Sequence, residues 1–144
     1  MWMIGRVGLL VVFIAACTSP PLQPESGEQL AACGTFPNCV SSNAQEGQSA
    51  VDPLLATPDQ WQSLVVELRE TENWSVNVVE DNFIQAVVAT RVMRYKDDVQ
   101  LQYHPERQLI HVRSSSRMGY SDMGVNRERV ESLRRSLEDL QESP

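Results

Sequence analysis

The residues with most chemistry to offer are crowded into one stretch, Val112–Val130, VRSSSRMGYSDMGVNRERV. Arginines, hydroxyls, a carboxylate and an amide stand there where a connecting loop usually carries simple turn residues. If strand alternation persists from Arg113 to Arg117, then Arg113, Ser115 and Arg117 share one face and Ser114 and Ser116 the other. Asn126 reads as the cap of a final helix, whose N-terminus offers unpaired N–H groups and a partial positive charge. Two guanidiniums, several hydroxyls and that helix end, facing one spot, would form a cradle for a phosphate or carboxylate. The candidate ligand-binding residues are Arg91, Asp98, Arg113, Ser114, Ser116, Arg117, Asp122, Asn126 and Arg127. The same residues admit a second reading, in which Asp97, Asp98 and Asp122 neutralise Arg113 and Arg117 and the ion pairs pin the loop. Gly119 and Gly124 bracket it, as positions of positive φ or close backbone approach.

Catalysis would need more. Asp97 and Asp98 are adjacent and would face opposite sides of a strand, so they are no ready acid–base pair. A serine nucleophile would need a base, and the histidines are His104 and His111. His111 is the better placed, on the strand face of Arg113. No G-x-S-x-G, H-E-x-x-H, P-loop or G-x-G-x-x-G motif occurs. An enzyme using this loop would rely on His111 or Cys39 as its reactive group, and no catalytic set is assigned.

The elements that must position these residues are legible from patterning. Thr57-Pro58-Asp59-Gln60 is a helix start, with Thr as cap, Pro at the first position and Gln three after the cap. Trp61, Leu64, Val65 and Leu68 continue it as one apolar stripe, ending near Glu70 to Asn73. Trp74, Val76 and Val78 alternate with polar residues as a strand. After a Glu80–Asn82 turn, Phe83 to Tyr95 reads as a longer strand. Val87 and Ala89 on its second face indicate that something covers part of that side. Asp97-Asp98 breaks the pattern, and Val99, Leu101 and Tyr103 form the third strand. Leu109 to Arg113 is the fourth. Val130, Leu133, Leu137 and Leu140 give the last helix its inner face, with Glu131 and Arg135 paired outside. Short turns make neighbouring strands antiparallel. The expected fold is α+β, a four-stranded antiparallel meander between two helices in sequence, with both helices on one face.

The N-terminus speaks to location. Arg6 precedes an apolar run, Val7 to Ala15, shorter than the about 20 residues of a membrane span and sized like a signal-peptide core. Ala15-Ala16-Cys17 resembles a bacterial lipobox. That resemblance implies a signal peptide over 1–16 and a diacylglyceryl and an acyl (palmitate-type) group on Cys17. Several acyl chains give stable membrane attachment. Thr18, rather than Asp, after the cysteine resembles the pattern sorted to the outer membrane, facing the periplasm. Residues 17–32 are Pro-, Ser- and Glu-rich and read as a flexible tether. Residues 33–144 then form a single domain.

With Cys17 lipidated, Cys33 and Cys39 remain as a candidate disulfide in an oxidising envelope, with a redox or nucleophilic role as the alternative. Two cysteines are too few for a metal site, and no metal or cofactor is expected. The full chain holds 12 Lys+Arg against 19 Asp+Glu. Loss of Arg6 leaves the mature chain formally at −8, which argues against nonspecific nucleic-acid binding. Yet Arg91–Arg129 carries eight basic and five acidic residues, a positive island pointing to an anionic ligand.

Three segments together are specific. The PNCVSS end of Cys33–Ser42, the Arg91–Asp98 segment with its Asp-Asp pair, and the RS-x-SR-x-G-x-SD-x-GVNR-x-R run resemble the domain-of-unknown-function family 1499. The likeness extends from Cys33 to Leu140 and implies a bacterial or chloroplast domain, often secreted or lipid-anchored, with no established activity. The expectation is a monomeric, lipid-anchored envelope domain binding a protein partner or small anionic ligand, an enzyme and a structural scaffold being the alternatives.

Overall fold

The computed structural model describes residues 30–142. The expected signal segment 1–16, Cys17 and the expected tether as far as residue 29 lie outside the described residues. Among those described, the order is β1 (Cys39–Ser41), β2 (Leu54–Leu55), α1 (Pro58–Glu70), β3 (Trp74–Glu80), β4 (Phe83–Ala89), β5 (Lys96–His104), β6 (Leu109–Ser116) and α2 (Val125–Glu142). None of the described helices is long and apolar enough to cross a membrane.

The start of α1 follows from local chemistry. Thr57 Oγ1 accepts the Gln60 N–H at 3.3 Å, and Gln60 Oε1 accepts the Thr57 N–H at 2.8 Å, a reciprocal capping box. Trp61, Leu64 and Leu68 are buried, as their spacing predicts. On α2, Val130, Leu133 and Leu137 are buried and Leu140 packs at their edge. These two stripes meet Ile84, Val88, Val99, Leu101, Ile110 and Val112 on one face of the sheet. Trp61 stacks on Tyr103 at 5.2 Å between ring centres and donates its indole N–H to the Asp81 carbonyl. Outside, Arg135 pairs with Glu128, and Glu131 takes Arg134 instead.

The sheet is antiparallel and α+β holds, but the four-stranded meander understates it. β3-β4-β5-β6 is that meander, and β1 and β2 add to it end to end along the outer edge of β6. Cys39–Ser41 pairs with Arg113–Ser115, and Leu54-Leu55 pairs with Leu109-Ile110. An eight-residue strand cannot leave its edge donors and acceptors bare beside the core, so short pieces of irregular chain cover them. Neither piece is long enough to show alternation.

Two strand boundaries also differ from expectation. β4 stops at Ala89, and Thr90–Tyr95 is a turn in which the Thr90 N–H donates to the Tyr95 carbonyl at 2.8 Å. β5 starts at Lys96, so Asp97 and Asp98 lie inside the strand, paired with Ser116 and Ser115.

Part of the second sheet face is covered, around Gln85 and Gln100, while Val87 and Ala89 are half-buried. Leu30 is buried, and the Ala31 N–H donates to Gln100 Oε1 at 2.9 Å. Gln100 in turn donates to Gln85 Oε1 at 3.2 Å. Cys33 and Cys39 are disulfide-bonded, their Cα atoms 5.7 Å apart, which ties this covering chain to β1. The cysteines are six positions apart. Closing so small a loop removes little unfolded-chain entropy, so Cys33→Ser with Cys39→Ser is expected to cost about 2 kcal/mol. Urea unfolding of the double variant beside the parent checks this, and an unchanged midpoint would refute it.

Candidate functional site

The first turn of α2 is built around a buried amide. Asn126 is not the cap; it is the second residue of the helix and fully buried, its side chain turned into the sheet. Its Oδ1 accepts from Ser114 Oγ at 2.7 Å and from Arg129 Nη1 at 2.6 Å. Its Nδ2 faces the Asn38 carbonyl at 3.0 Å, Ser116 Oγ at 2.9 Å and Asp122 Oδ2 at 2.7 Å. The capping falls to Asp122, whose carboxylate accepts the N–H groups of Gly124 and Asn126 at 2.9 and 3.0 Å. A carboxylate there satisfies orphan donors and complements the helix dipole. Gly119 and Gly124 hold φ of +84° and +85°, the left-handed region that favours glycine.

Each aspartate of the pair holds one arginine, on opposite faces of β5. Asp97 faces the helices, and its Oδ2 accepts from Arg129 Nη2 at 2.5 Å, with both side chains nearly closed to solvent. Asp98 faces the other way and takes Arg117 in a fork, 2.9 Å to Nε and 2.6 Å to Nη2. That hydrogen bond is the main cause holding the Arg117 pKa above its ordinary value. Arg113 lies on this second face too, across from Gln100, and is buried. Desolvation lowers its pKa against the pull of Asp98, and its Nε and Nη1 have no hydrogen-bond partner among the described residues.

The expected cradle therefore does not assemble. Alternation sends Arg113 and Arg117 to one side of the sheet and Ser114 and Ser116 to the other, where α2 begins. Arg117 is occupied by Asp98, and Asp122 by the helix. Arg127 Nη2 donates to the Gln48 and Ala50 carbonyls at 2.8 and 2.9 Å, holding the chain between β1 and β2. Arg91 stands apart in the β4–β5 turn, exposed. Ser114, Ser116, Asn126 and Asp122 brace one another together with Arg129, while Arg117 is held separately by Asp98. Arg129, which closes the network, is absent from the residues singled out in the sequence; it stands one helical turn beyond Asn126, and that i, i+3 spacing is the signal by which it could have been found.

The catalytic alternatives fare similarly. Cys39 is in the disulfide, and His111 lies on the Arg113 face, away from Ser114 and Ser116. His111 Nδ1 is 3.1 Å from Ser42 Oγ, and its ring meets His104 edge-on at 5.1 Å. Burial first, then the neighbouring His104 and Arg107 charges, lower its pKa and favour the neutral ring. No group of three or more metal-ligating side chains occurs among the described residues.

What the spacing did not show is a cleft of about 960 Å³ on the helix side of the sheet. Its walls are the end of α1, the first half of α2, the Thr90–Tyr95 turn and the loop before α2. Leu68, Trp74, Val88, Met93, Met118 and Leu133 make it largely apolar. Asp97, Ser116 and Arg129 also line it, so one side of the brace forms its polar floor. Asp97 is 1 % exposed, and its Oδ1 has no hydrogen-bond partner among the described residues. A family model described as Protein of unknown function (DUF1499) matches residues 29–137. No curated protein and no solved structure matches the chain.

Proposed function

The chain belongs to the DUF1499 family, whose description carries no activity, and from that premise we propose a lipid-anchored cell-envelope domain that binds a small, largely apolar molecule in the cleft between its helices and sheet. The anchor is Cys17, and the place is the outer membrane facing the periplasm. This part rests on the lipobox-like Ala15-Ala16-Cys17 and Thr18. The single observation behind the binding reading is the cleft itself, apolar in its walls and ending at a carboxylate with one open acceptor. Its volume is at the upper end of the range of small-molecule sites. Asp97 Oδ1 selects a ligand carrying a hydroxyl or N–H group, because a buried acceptor left unpaired costs about 1–3 kcal/mol. An anion at Arg113 and Arg117 has no comparable support, since one guanidinium is clasped by Asp98 and the other is buried on the far face.

The test uses three probes of one chain length, decanol, decylamine and decanoate, followed by Trp74 fluorescence, since Trp74 lines the cleft. Decanol and decylamine are expected to bind saturably and decanoate at least 10-fold more weakly, its carboxylate facing that of Asp97. Ser132→Trp, which fills the cleft from an exposed position on α2, should remove binding with little change in melting temperature. Absence of saturable binding by the parent, or binding that survives Ser132→Trp, would defeat the reading.

A further inference from the structure

The β4–β5 turn has a composition the cleft does not require. Residues 91–95 of the turn and Lys96, the first residue of β5, read Arg-Val-Met-Arg-Tyr-Lys; they interleave cationic and apolar side chains, and all six are exposed. Val92 is 87 % exposed and Met93 62 %. A soluble turn normally offers Gly, Asn, Asp or Ser, and here there are none. Nor is there an acidic residue, although the full chain has a formal charge of −7. The turn is held in shape by Thr90, whose N–H and Oγ1 bond the Tyr95 carbonyl and N–H at 2.8 and 2.9 Å. Beside it, across the mouth of the cleft, the loop before α2 presents Met118 and Met123, the latter 96 % exposed. The Arg117 N–H donates to the Lys96 carbonyl at 3.1 Å, fastening that loop to the base of the turn. The acidic residues around the cleft, Glu67, Asp97, Asp122 and Glu128, belong to the helices, to β5 and to the loop rather than to the turn, and Asp97 is buried against Arg129.

We propose that this end of the domain, the Arg91–Lys96 turn with Met118 and Met123 beside it, docks on an anionic lipid surface. The charge pattern selects that occupant. Valine, methionine and tyrosine enter the headgroup–acyl boundary, while Arg91, Arg94 and Lys96 lie among the phosphates. This is the division of labour of interfacial segments, in which apolar burial and attraction to anionic lipid add. A protein surface of matching acidity would meet the cations but not the flanking apolar side chains at the same depth. Docking this way turns the mouth of the cleft to the bilayer, whether or not the cleft is filled. It is also a second contact beyond Cys17, made by the folded domain itself.

The experiment uses the full chain carrying Val92→Trp, added to vesicles of phosphatidylethanolamine and phosphatidylglycerol with brominated acyl chains. Fluorescence of the new indole should be blue-shifted and quenched beyond the signal of the parent's own tryptophans. Val66→Trp, at an exposed position on α1, serves as the control and should not be quenched. Removing three cations near a charged surface costs roughly a factor of 5 each, so R91Q/R94Q/K96Q should lower the docked-to-free ratio on the order of 100-fold. About 1 M salt, where the Debye length is about 3 Å, should act in the same direction. The proposal is overturned if the Val92→Trp signal is not quenched, if phosphatidylcholine vesicles quench it equally, or if the charge variant docks as the parent does. Cross-linking of the turn to an envelope protein without quenching would overturn it in favour of a protein partner. Ser132→Trp leaves the turn intact, so loss of probe binding and loss of docking are separable.

Discussion

Asp97→Ala is expected to lose about 3–5 kcal/mol of stability, because it strands a guanidinium inside the protein. Arg129 reaches Asp97 from α2, and its Nη1 is shared between Ser114 Oγ and Asn126 Oδ1 at 2.7 and 2.6 Å. Its side chain is 9 % exposed, so removing the carboxylate leaves a full positive charge with only neutral partners. The pair itself is worth far less than its breakage, since taking both ions out of water has already cost most of their attraction. The double variant Asp97→Ala with Arg129→Met should therefore be more stable than Asp97→Ala alone. Urea unfolding of the four proteins of this cycle measures the coupling directly. The competing outcome has a physical route, because Arg129 lines the cleft and water entering there could solvate it. Asp97→Ala within about 1 kcal/mol of the parent would mean that the cleft is wet down to its floor.

Asp97 also shows where sequence reading stops. Adjacent carboxylates are depleted from strands, so Asp97-Asp98 looks like a break. Yet strand geometry sends them to opposite faces, where each finds an arginine distant in the chain, Arg129 for one and Arg117 for the other. The capping box of α1 is legible because both its partners lie within four residues. The apolar stripes of both helices are legible for the same reason. The alternation of Arg113 to Arg117 is legible too, and followed through it places the arginines on the face away from α2, against the cradle their proximity in sequence invites. Strands β1 and β2 exist only because β6 has an edge to cover, and a three- or two-residue strand carries no period. The cleft is hardest to foresee. Trp74, Met93, Met118 and Leu133 are far apart in the chain, and each alone reads as core or as ordinary surface.

Asn126→Ala should be as damaging as Asp97→Ala, although it removes no charge. The amide joins β6, α2 and the chain before β1 through Ser114, Ser116, Asn38, Asp122 and Arg129. Its Nδ2 has two hydrogens for three acceptors, so the acceptors already share donors, and truncation leaves several buried groups short at once. At about 1–3 kcal/mol for each group left unpaired, and with partial relief by entering water, a loss of about 3–4 kcal/mol follows. Asn126→Asp separates hydrogen bonding from volume. It keeps the shape and the acceptor toward Ser114 and Arg129, but turns a second oxygen toward the Asn38 carbonyl and Asp122 Oδ2. The introduced carboxyl should then have a raised pKa in the folded state. Its destabilisation relative to the parent is present at neutral pH and shrinks as pH falls through that value, since the protonated form again offers a donor. Chemical unfolding of both variants at neutral and mildly acidic pH tests the argument. If Asn126→Asp matches the parent at neutral pH, the amide donors are dispensable and the network is held by Arg129 and Asp122 alone.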